Sequence, residues 1–343
     1  MSKANLLRMA GALALLAALP QAAQAATAQK TTSSASAASL PIGHCINMGG
    51  MLDSDDWGGK KLDAGDFVRI RAAGFDTVRL TTNWVNHASD TAPYTIDPAW
   101  MARVTDMVDA ALANNLNVVL NSHYFPALDA DPLGNAPRLA GLWKQIAANF
   151  ANRPNSRLYF ELFNEPHDAF TPAVQAQVVG PALAAVRATN PKRPVIVSGG
   201  PWANVDTLAT LNLPNDPNVW PTFHYYDPMD FTHQGADWVS PAFPLGRTYG
   251  TYWDQQALIN DPPKVTAFAK RTGKMPFIGE NGAYDVIPDP QRAEYHKAVY
   301  QAFTKVGAKV CVWAYSNTFP FWDYDTGKWH PGLLSAIGLK EQP

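Results

Sequence analysis

The chain has 343 residues, of which 47% are hydrophobic and 16% are charged, and its formal net charge is −2 at pH 7. This balance is that of a globular protein with enough apolar side chains for a sizeable core, in one large domain or two small ones. A near-neutral chain without a long Lys/Arg run lacks the basic surface typical of nucleic-acid-binding proteins, so we expect no nucleic-acid partner.

The N-terminal segment begins with Lys3 and Arg8, continues with the apolar run MAGALALLAALP and ends with the small residues AAQAA. A basic start, a short apolar stretch and a small-x-small motif are typical of a secretory signal peptide, which we expect to span residues 1–25. Residues 26–39 are small and polar, which is typical of a flexible linker. We therefore expect a secreted mature protein, extracellular or periplasmic, without a membrane segment.

From residue 40 to residue 343, short apolar runs alternate with longer amphipathic segments, which indicates one folded domain. Eight runs are predicted strands: Ile42–Asn47, Thr77–Thr81, Asn117–His123, Leu158–Asn164, Val195–Ser198, Val219–Tyr225, Phe277–Glu280 and Lys309–Ala314. Apolar residues at helical spacing predict helices over 99–115, 139–152, 172–190, 264–273 and 289–307. This α/β alternation favours parallel pairing and a single-domain (β/α)8 TIM barrel. An open doubly wound sheet is the alternative, but no glycine-rich phosphate loop follows the first strand.

Polar side chains concentrate where the predicted strands end. They are Asn47, Arg79, His123, Asn164, Glu165, Ser198, Trp202, His224, Tyr226, Glu280 and Trp313. Burying a carboxylate or a guanidinium is costly unless the group is paired, so core packing is a poor explanation for the whole set. Catalytic residues of a (β/α)8 barrel lie at this end of the strands, so the pattern predicts an active site there.

Two of these residues, Glu165 and Glu280, follow the fourth and seventh predicted strands. A pair of carboxylates can protonate a leaving oxygen with one member, while the other attacks carbon or activates water. We expect Arg79 to lie beside Glu280 and lower its pKa, because an opposite charge favours the ionised carboxylate. Tyr226 is a candidate donor to the same carboxylate, and His224 is a candidate to hold Glu165.

Six stretches in order, GFDTVRLTTNW, LNVVLNSHYF, LYFELFNEPH, WPTFHYYDPMDFTHQGADW, PFIGENGAY and VCVWAYSNTF, resemble glycoside hydrolase family 5, from about residue 42 to about residue 320. The resemblance implies that Glu165 is the general acid/base and Glu280 the nucleophile of a retaining enzyme, with carboxyl groups about 5–5.5 Å apart. It also implies a substrate site of Arg79, His123, Asn164, His224, Tyr226 and Trp313, the last as a sugar platform. The closest similarity is to bacterial endo-1,4-β-glucanases, which use no cofactor and act on β-linked polysaccharides or oligosaccharides.

Other substrates of the same family are alternatives: a β-mannanase, or a mixed-linkage glucan or xyloglucan hydrolase. Many members of the endoglucanase group have a second histidine where this chain has Tyr124. Specificity is expected to depend on the loops around Trp84, Tyr124 and residues 227–253. A glycan-binding barrel without catalysis is a remote alternative, because such a protein is expected to lack one of the two carboxylates.

Indole rings pack well on the apolar faces of sugars, so Trp84 and Trp202 are further candidate platforms. Glu161 lies deeper in the fourth strand, where a structural, hydrogen-bonded carboxylate is expected. Ser198 lacks the G-x-S-x-G context of a serine hydrolase.

The remaining histidines and cysteines indicate no metal centre. His44, His87, His167 and His233 do not have the spacing of a zinc motif, so we expect no metal. Cys45 and Cys311 lie in strand-like runs and are expected to be buried free thiols. A bridge between them would require the first and last strands to be neighbours. We expect a monomer.

Overall fold

The computed structural model describes residues 37–54 and 61–342. The predicted signal peptide and most of the predicted linker lie outside these residues, so both stay predictions. Within the described ranges, no helix is both long and apolar enough to cross a membrane.

Eight parallel strands close into a barrel in chain order, each paired with the next and the last paired with the first. They are β1 (His44–Asn47), β2 (Thr77–Leu80), β3 (Asn117–Asn121), β4 (Leu158–Glu161), β5 (Val195–Val197), β6 (Val219–His224), β7 (Phe277–Glu280) and β8 (Val310–Val312). The predicted (β/α)8 fold is confirmed. The doubly wound alternative is wrong, because β1 pairs with β8 and leaves no open edge.

Six of the eight strands are shorter than predicted at their carboxyl ends, whereas β1 and β7 end where predicted. β3 ends at Asn121 rather than His123, and β4 ends at Glu161 rather than Asn164. The apolar run therefore continues past the last ladder pair, into loop residues that are still buried. Glu165 lies four residues beyond the end of β4, in the loop that follows it.

The longer helices lie outside the barrel, and shorter helices lie in the loops that connect the elements. The helices are α1 (Ala64–Ala72), α2 (Pro98–Ala113), α3 (Pro126–Ala130), α4 (Pro132–Asn149), α5 (Gln175–Arg187), α6 (Met229–Thr232), α7 (Tyr252–Thr272), α8 (Asp289–Lys305) and α9 (Leu333–Ala336), with a 3-10 helix at Val205–Ala209. Two short antiparallel strands, β9 (Trp322–Asp323) and β10 (Lys328–Trp329), follow β8.

The helix α7 begins twelve residues earlier than the predicted start at residue 264. A capping box explains the early start: the Thr251 side chain accepts from the backbone of Asp254, and the Asp254 side chain accepts from the backbone of Thr251. Pro262 and Pro263, which precede the predicted start, lie inside the helix.

The barrel interior has an apolar layer and a polar layer. The apolar cluster contains Leu40, Ile42, Cys45, Val119, Tyr159, Ile196, Phe277 and Cys311, all buried. Two residues further along three of these strands lie Asn47, Asn121 and Glu161, which are also fully buried. Because side chains alternate along a strand, both layers share the inner face. The polar layer therefore supports the carboxyl end of the barrel from below.

Cys45 and Cys311 form a disulfide, so the expectation of free thiols was wrong. The two residues are direct partners in the β1–β8 ladder, with a Cα–Cα distance of 4.2 Å. Barrel closure brings them together across a sequence separation of 266 residues. The bridge joins the first and last strands at the seam of the barrel.

Replacing both cysteines by alanine is expected to lower the free energy of unfolding by about 2–5 kcal/mol, because the cross-link restricts the unfolded chain. The catalytic rate of the folded protein should not change, since the bridge lies in the apolar layer below the polar one. Urea unfolding of the double variant and of the parent protein measures the difference in stability. Unfolding the parent protein with a reductant present gives a second measure of the effect of the disulfide. Unchanged stability would contradict the prediction.

Candidate active site

Arg79 is the centre of the polar network at the carboxyl end of the barrel. It lies on β2, is fully buried, and donates to both oxygens of Glu161 at 2.7 and 2.9 Å. It also donates to Glu280 Oε1 at 2.7 Å, Asn164 Oδ1 at 2.6 Å and Asn47 Oδ1 at 2.8 Å. Burial disfavours its charge, but the carboxylates of Glu161 and Glu280 outweigh burial and raise the pKa of Arg79. The guanidinium is therefore charged and fixes four side chains at once.

Glu161 has the structural role expected of it, as the bidentate partner of Arg79. Asn47 extends the same network, because its amide donates to the Gly279 carbonyl at 2.8 Å and to the Val312 carbonyl at 3.2 Å. These bonds tie the end of β1 to β7 and β8. The sequence placed Asn47 at a strand end without giving it a role.

Glu280, the last residue of β7, has donors on both carboxylate oxygens. Arg79 donates to Oε1, and the Tyr226 hydroxyl donates to Oε2 at 2.9 Å. Burial raises the pKa of Glu280, while His224 and Arg79 oppose the increase. The expected lowering by Arg79 is thus present, but burial outweighs it. Burial and Glu280 raise the pKa of Tyr226 well above its ordinary value, so the phenol keeps its proton and remains a donor.

Glu165 lies across the barrel mouth from Glu280 and is held by His224. The Nδ1 atom of His224 lies 2.5 Å from Glu165 Oε1 and 3.5 Å from Glu280 Oε2. Burial raises the pKa of Glu165 to about 7, against the opposing charges of Arg79 and His167. Burial also lowers the pKa of His224 to about 4, so this imidazole is neutral at pH 7. The two glutamates therefore have different environments: Glu280 has two fixed donors, and Glu165 has one neutral ring.

His123 and Trp313 form one wall of the site. Their rings stack with centroids 5.4 Å apart and an interplanar angle of 8°. Burial, together with the charge of Arg79, lowers the pKa of His123 well below its ordinary value. Gly49 allows this arrangement, because a Cβ there would lie 2.6 Å from the Trp313 ring. Trp313 also lines the main cavity, where a sugar platform was predicted.

Trp84 and Trp202, both predicted platforms, have different positions. Trp84 is fully buried and its Nε1 donates to the Asn121 carbonyl at 2.9 Å, so it packs the loop after β2 and cannot contact substrate. Trp202 is 54% exposed and lines the cleft. The assignment of Trp84 to the substrate site was wrong, because its loop folds back onto β3.

Two cavities meet at Glu165 and Trp202, which line both of them. The larger has a volume of about 1160 Å³ and contains Glu165, Glu280, His224, Tyr226 and Trp313. The smaller has a volume of about 250 Å³ and is lined by His123, Tyr124, Asn164 and Glu165 among others. All predicted site residues except Trp84 and Arg79 therefore border a cavity, and Arg79 lies directly beneath them.

Sequence reasoning missed several residues of the site. Asp53, in the loop after β1, places Oδ2 3.7 Å from His123 Nε2, and burial raises its pKa to about 6. Trp238, His233 and Phe319 line the larger cavity from the loops after β6 and β8. Asp53 could have been found by extending the search of strand ends by a few residues. Trp238 was only visible as a tryptophan in a loop.

Glu165, His224 and Glu280 also form the one cluster within 37–54 and 61–342 with the geometry to hold a metal ion. Their existing bonds argue for another use. Arg79 compensates the charge of Glu280, the Tyr226 hydroxyl donates to the same carboxylate, and Glu165 is already bonded to His224. The prediction that the site uses no metal and no cofactor stays a prediction.

A (β/α)8 barrel with two glutamates facing each other across an aromatic-lined mouth defines a glycosidase-type active site. Residues 34–319 match the family model for cellulase, glycosyl hydrolase family 5. The chain therefore belongs to this family, which places it among the glycoside hydrolases.

Relatives and solved structures agree with this assignment. Endoglucanase H of Acetivibrio thermocellus is 30% identical over 304 residues, which cover 86% of this chain and 33% of that protein. The structure of a hyperthermophilic endo-β-1,4-glucanase in complex with substrate is 36% identical, with a TM-score of 0.83, and covers 87% of this chain and 97% of that one. Structures of Thermotoga maritima Cel5A in complex with mannotriose and with cellobiose are 32% identical, with TM-scores of 0.83, and cover 86% of this chain and 97% of theirs.

Proposed function

We propose that the protein is a retaining endo-β-1,4-glucanase. The observation that carries the proposal is the short separation of the two catalytic candidates: one carboxylate oxygen of Glu165 lies within 4.8 Å of one of Glu280. Retaining glycosidases hold their carboxyl groups about 5–5.5 Å apart, whereas inverting enzymes need about 6.5–9.5 Å to admit a water molecule. The short separation favours direct attack on the sugar.

The surroundings of each glutamate support separate roles. Glu280, ionised and oriented by Arg79 and Tyr226, attacks the anomeric carbon and forms a covalent glycosyl-enzyme. Glu165, protonated at slightly acidic pH because its pKa is raised to about 7, gives its proton to the departing glycosidic oxygen. In the second step Glu165 takes a proton from the attacking water, and the Glu280 ester is released.

The choice of β-1,4-glucan as substrate rests on the relatives. The hyperthermophilic endo-β-1,4-glucanase carries that activity in its name, and Endoglucanase H is named as an endoglucanase. A β-mannanase activity is the second candidate, because the similar Thermotoga maritima Cel5A binds mannotriose as well as cellobiose. Both glutamates are present and close together, which disfavours the binding-only barrel.

Reducing-sugar release from carboxymethylcellulose, barley β-glucan, xyloglucan and mannan, measured side by side, tests the substrate. We expect the highest kcat/KM on a β-1,4-glucan. A higher kcat/KM on mannan would replace the first proposal by the second. No release from any of them, together with tight glycan binding, would favour the binding-only barrel.

The pH profile is expected to be bell-shaped. As pH rises through about 7, Glu165 loses the proton it must donate, and kcat/KM for an unactivated oligosaccharide falls. As pH falls, Glu280 gains a proton below its raised pKa and stops being a nucleophile. The two apparent values belong to the pair, because the carboxylates interact.

Comparing the pH profiles of two substrates checks whether the alkaline limb belongs to Glu165 and the acid limb to Glu280. A 2,4-dinitrophenyl cellobioside needs no protonation of its leaving group, so its alkaline limb should be much weaker than that of cellopentaose. The acid limb should remain in both profiles. Equal alkaline limbs for the two substrates would contradict the role of Glu165 as the acid.

We also propose secretion and a monomeric state. The basic and apolar N-terminal sequence supports export, and the Cys45–Cys311 disulfide supports an oxidising destination. N-terminal sequencing of the protein from the producing cells should show a start at Ala26. A mature chain that begins at Met1 would contradict export by cleavage. Light scattering of the purified protein tests the monomer.

A further inference from the structure

His167 is a partly buried histidine near Glu165 and Glu280, and no step of the proposed reaction uses it. It lies two residues after Glu165, in the loop that follows β4. Its imidazole is parallel to the Trp202 indole, with ring centroids 3.7 Å apart and an interplanar angle of 9°. One face of the exposed Trp202 is thus covered by a flat ring, and the other face is open.

The His167 ring has a carboxylate near each of its nitrogens, and Nδ1 has no hydrogen bond of normal geometry. Its Nε2 lies 3.4 Å from Asp129 Oδ2, and its Nδ1 lies 3.1 Å from Asp168 Oδ2. The backbone supports the same arrangement, because His167 N–H donates to Asp129 Oδ1 at 3.2 Å and Ala169 N–H donates to the Asp129 carbonyl at 2.9 Å. Asp129 lies on α3, so the ring is anchored to a different loop of the barrel mouth.

Trp202 is also held at its backbone. Its N–H donates to the Pro166 carbonyl at 2.9 Å, and its φ of 55° is in the left-handed region, which is uncommon for a residue other than glycine. The loops after β4 and β5 therefore meet at the His167–Trp202 stack. Because Trp202 and Glu165 line both cavities, the open indole face lies at the junction of the cleft.

We propose that His167 is a positioning residue that holds Trp202 as a platform for one pyranose ring of the substrate, next to the bond that Glu165 protonates. This inference rests on the proposed function and adds His167 as the residue that orients the Trp202 platform. An unsupported indole would lose rotamer freedom when sugar binds, which costs affinity. His167, whose backbone is bonded to Asp129 and whose ring lies against the indole, removes that cost before binding. The ligand is a β-1,4-linked hexose oligosaccharide that stacks on the face opposite His167.

A double-mutant cycle tests whether His167 acts through Trp202. The variants are His167→Ala, Trp202→Ala and the pair, each made in the natural protein and in a Glu280→Gln background. Dissociation constants for cellohexaose and mannohexaose are measured by calorimetry in the Glu280→Gln background, so binding is read without hydrolysis. Values of kcat and KM come from the otherwise natural protein. Ile259→Ala is the control, because Ile259 is 61% exposed on α7 and lines neither cavity.

We expect each single variant to weaken binding about three- to tenfold, as loss of an aromatic stacking contact does. The double variant should bind no more weakly than Trp202→Ala alone, KM should rise while kcat changes little, and the control should be unaffected. Additive losses in the double variant would overturn the proposal. So would a lower kcat with unchanged affinity, because His167 would then act on the reaction and not through Trp202. Tight binding without hydrolysis by the natural protein would refute the proposed function while leaving this inference intact.

Discussion

Glu280→Gln is expected to lower kcat by a factor on the order of 10⁵ or more, in line with the loss of a covalent nucleophile in other hydrolases. The glutamine side chain has nearly the same shape, but its amide cannot form the glycosyl ester. The fold should survive, because Arg79 keeps its two bonds to Glu161. Single-turnover kinetics on an aryl cellobioside, with circular dichroism to confirm folding, measures the loss.

Azide rescue separates the two carboxylates. In Glu280→Ala, azide enters on the face that the nucleophile leaves free, and the expected product is the α-glycosyl azide. In Glu165→Ala, azide attacks the glycosyl-enzyme formed on Glu280, and the expected product is the β-glycosyl azide. The opposite pairing of variant and product would show that the two roles had been exchanged.

Arg79→Met is expected to destabilise the fold by about 3–5 kcal/mol, because it leaves Glu161 and Glu280 buried without their cation. Activity should also fall steeply, since the pKa of Glu280 rises further when its nearest positive charge is removed. Urea unfolding gives the stability, and kcat at a temperature where the variant is folded gives the activity. Near-native values of both would contradict the central place of Arg79.

Arg193 provides a control for the loss of a buried arginine. It too is fully buried, but its hydrogen bonds go to backbone carbonyls and to the amide oxygen of Asn190, far from either catalytic glutamate in the sequence. Arg193→Met should destabilise the protein and leave kcat of the folded fraction unchanged. The double variant Arg79→Met, Glu161→Met should regain part of the stability lost in Arg79→Met without regaining activity. A rescue of activity by the second substitution would show that Arg79 acts only by balancing Glu161.

The barrel and the pair of glutamates at its mouth could be predicted because both follow from local patterns. Apolar runs and helical spacing determine the order of elements, and charged side chains at the ends of apolar strands have few structural explanations. A structural role for Glu161 was also predictable, because a carboxylate that deep in the barrel needs a partner. The structure identifies this partner as Arg79.

Features that depend on register or on loop packing could not be predicted from the sequence. Cys45 and Cys311 become neighbours only when β1 and β8 pair at one particular register, 266 residues apart in sequence. Trp84 and Trp202 each follow a predicted strand by a few residues, yet one is buried against β3 and the other is exposed in the cleft. The shift in the pKa of Glu280 could not be predicted either, because its direction depends on whether burial or Arg79 has the larger effect.

Trapping the covalent intermediate tests the central claim most directly. The protein would be incubated with 2,4-dinitrophenyl 2-deoxy-2-fluoro-β-cellobioside, which forms the glycosyl-enzyme but releases it slowly, and the labelled peptide would be identified by mass spectrometry. The predicted result is one fluorocellobiosyl group per chain, attached to Glu280, and no label in Glu280→Gln. A label on Glu165 or elsewhere, or cleavage of natural glucan with inversion at the anomeric carbon, would contradict the proposed mechanism.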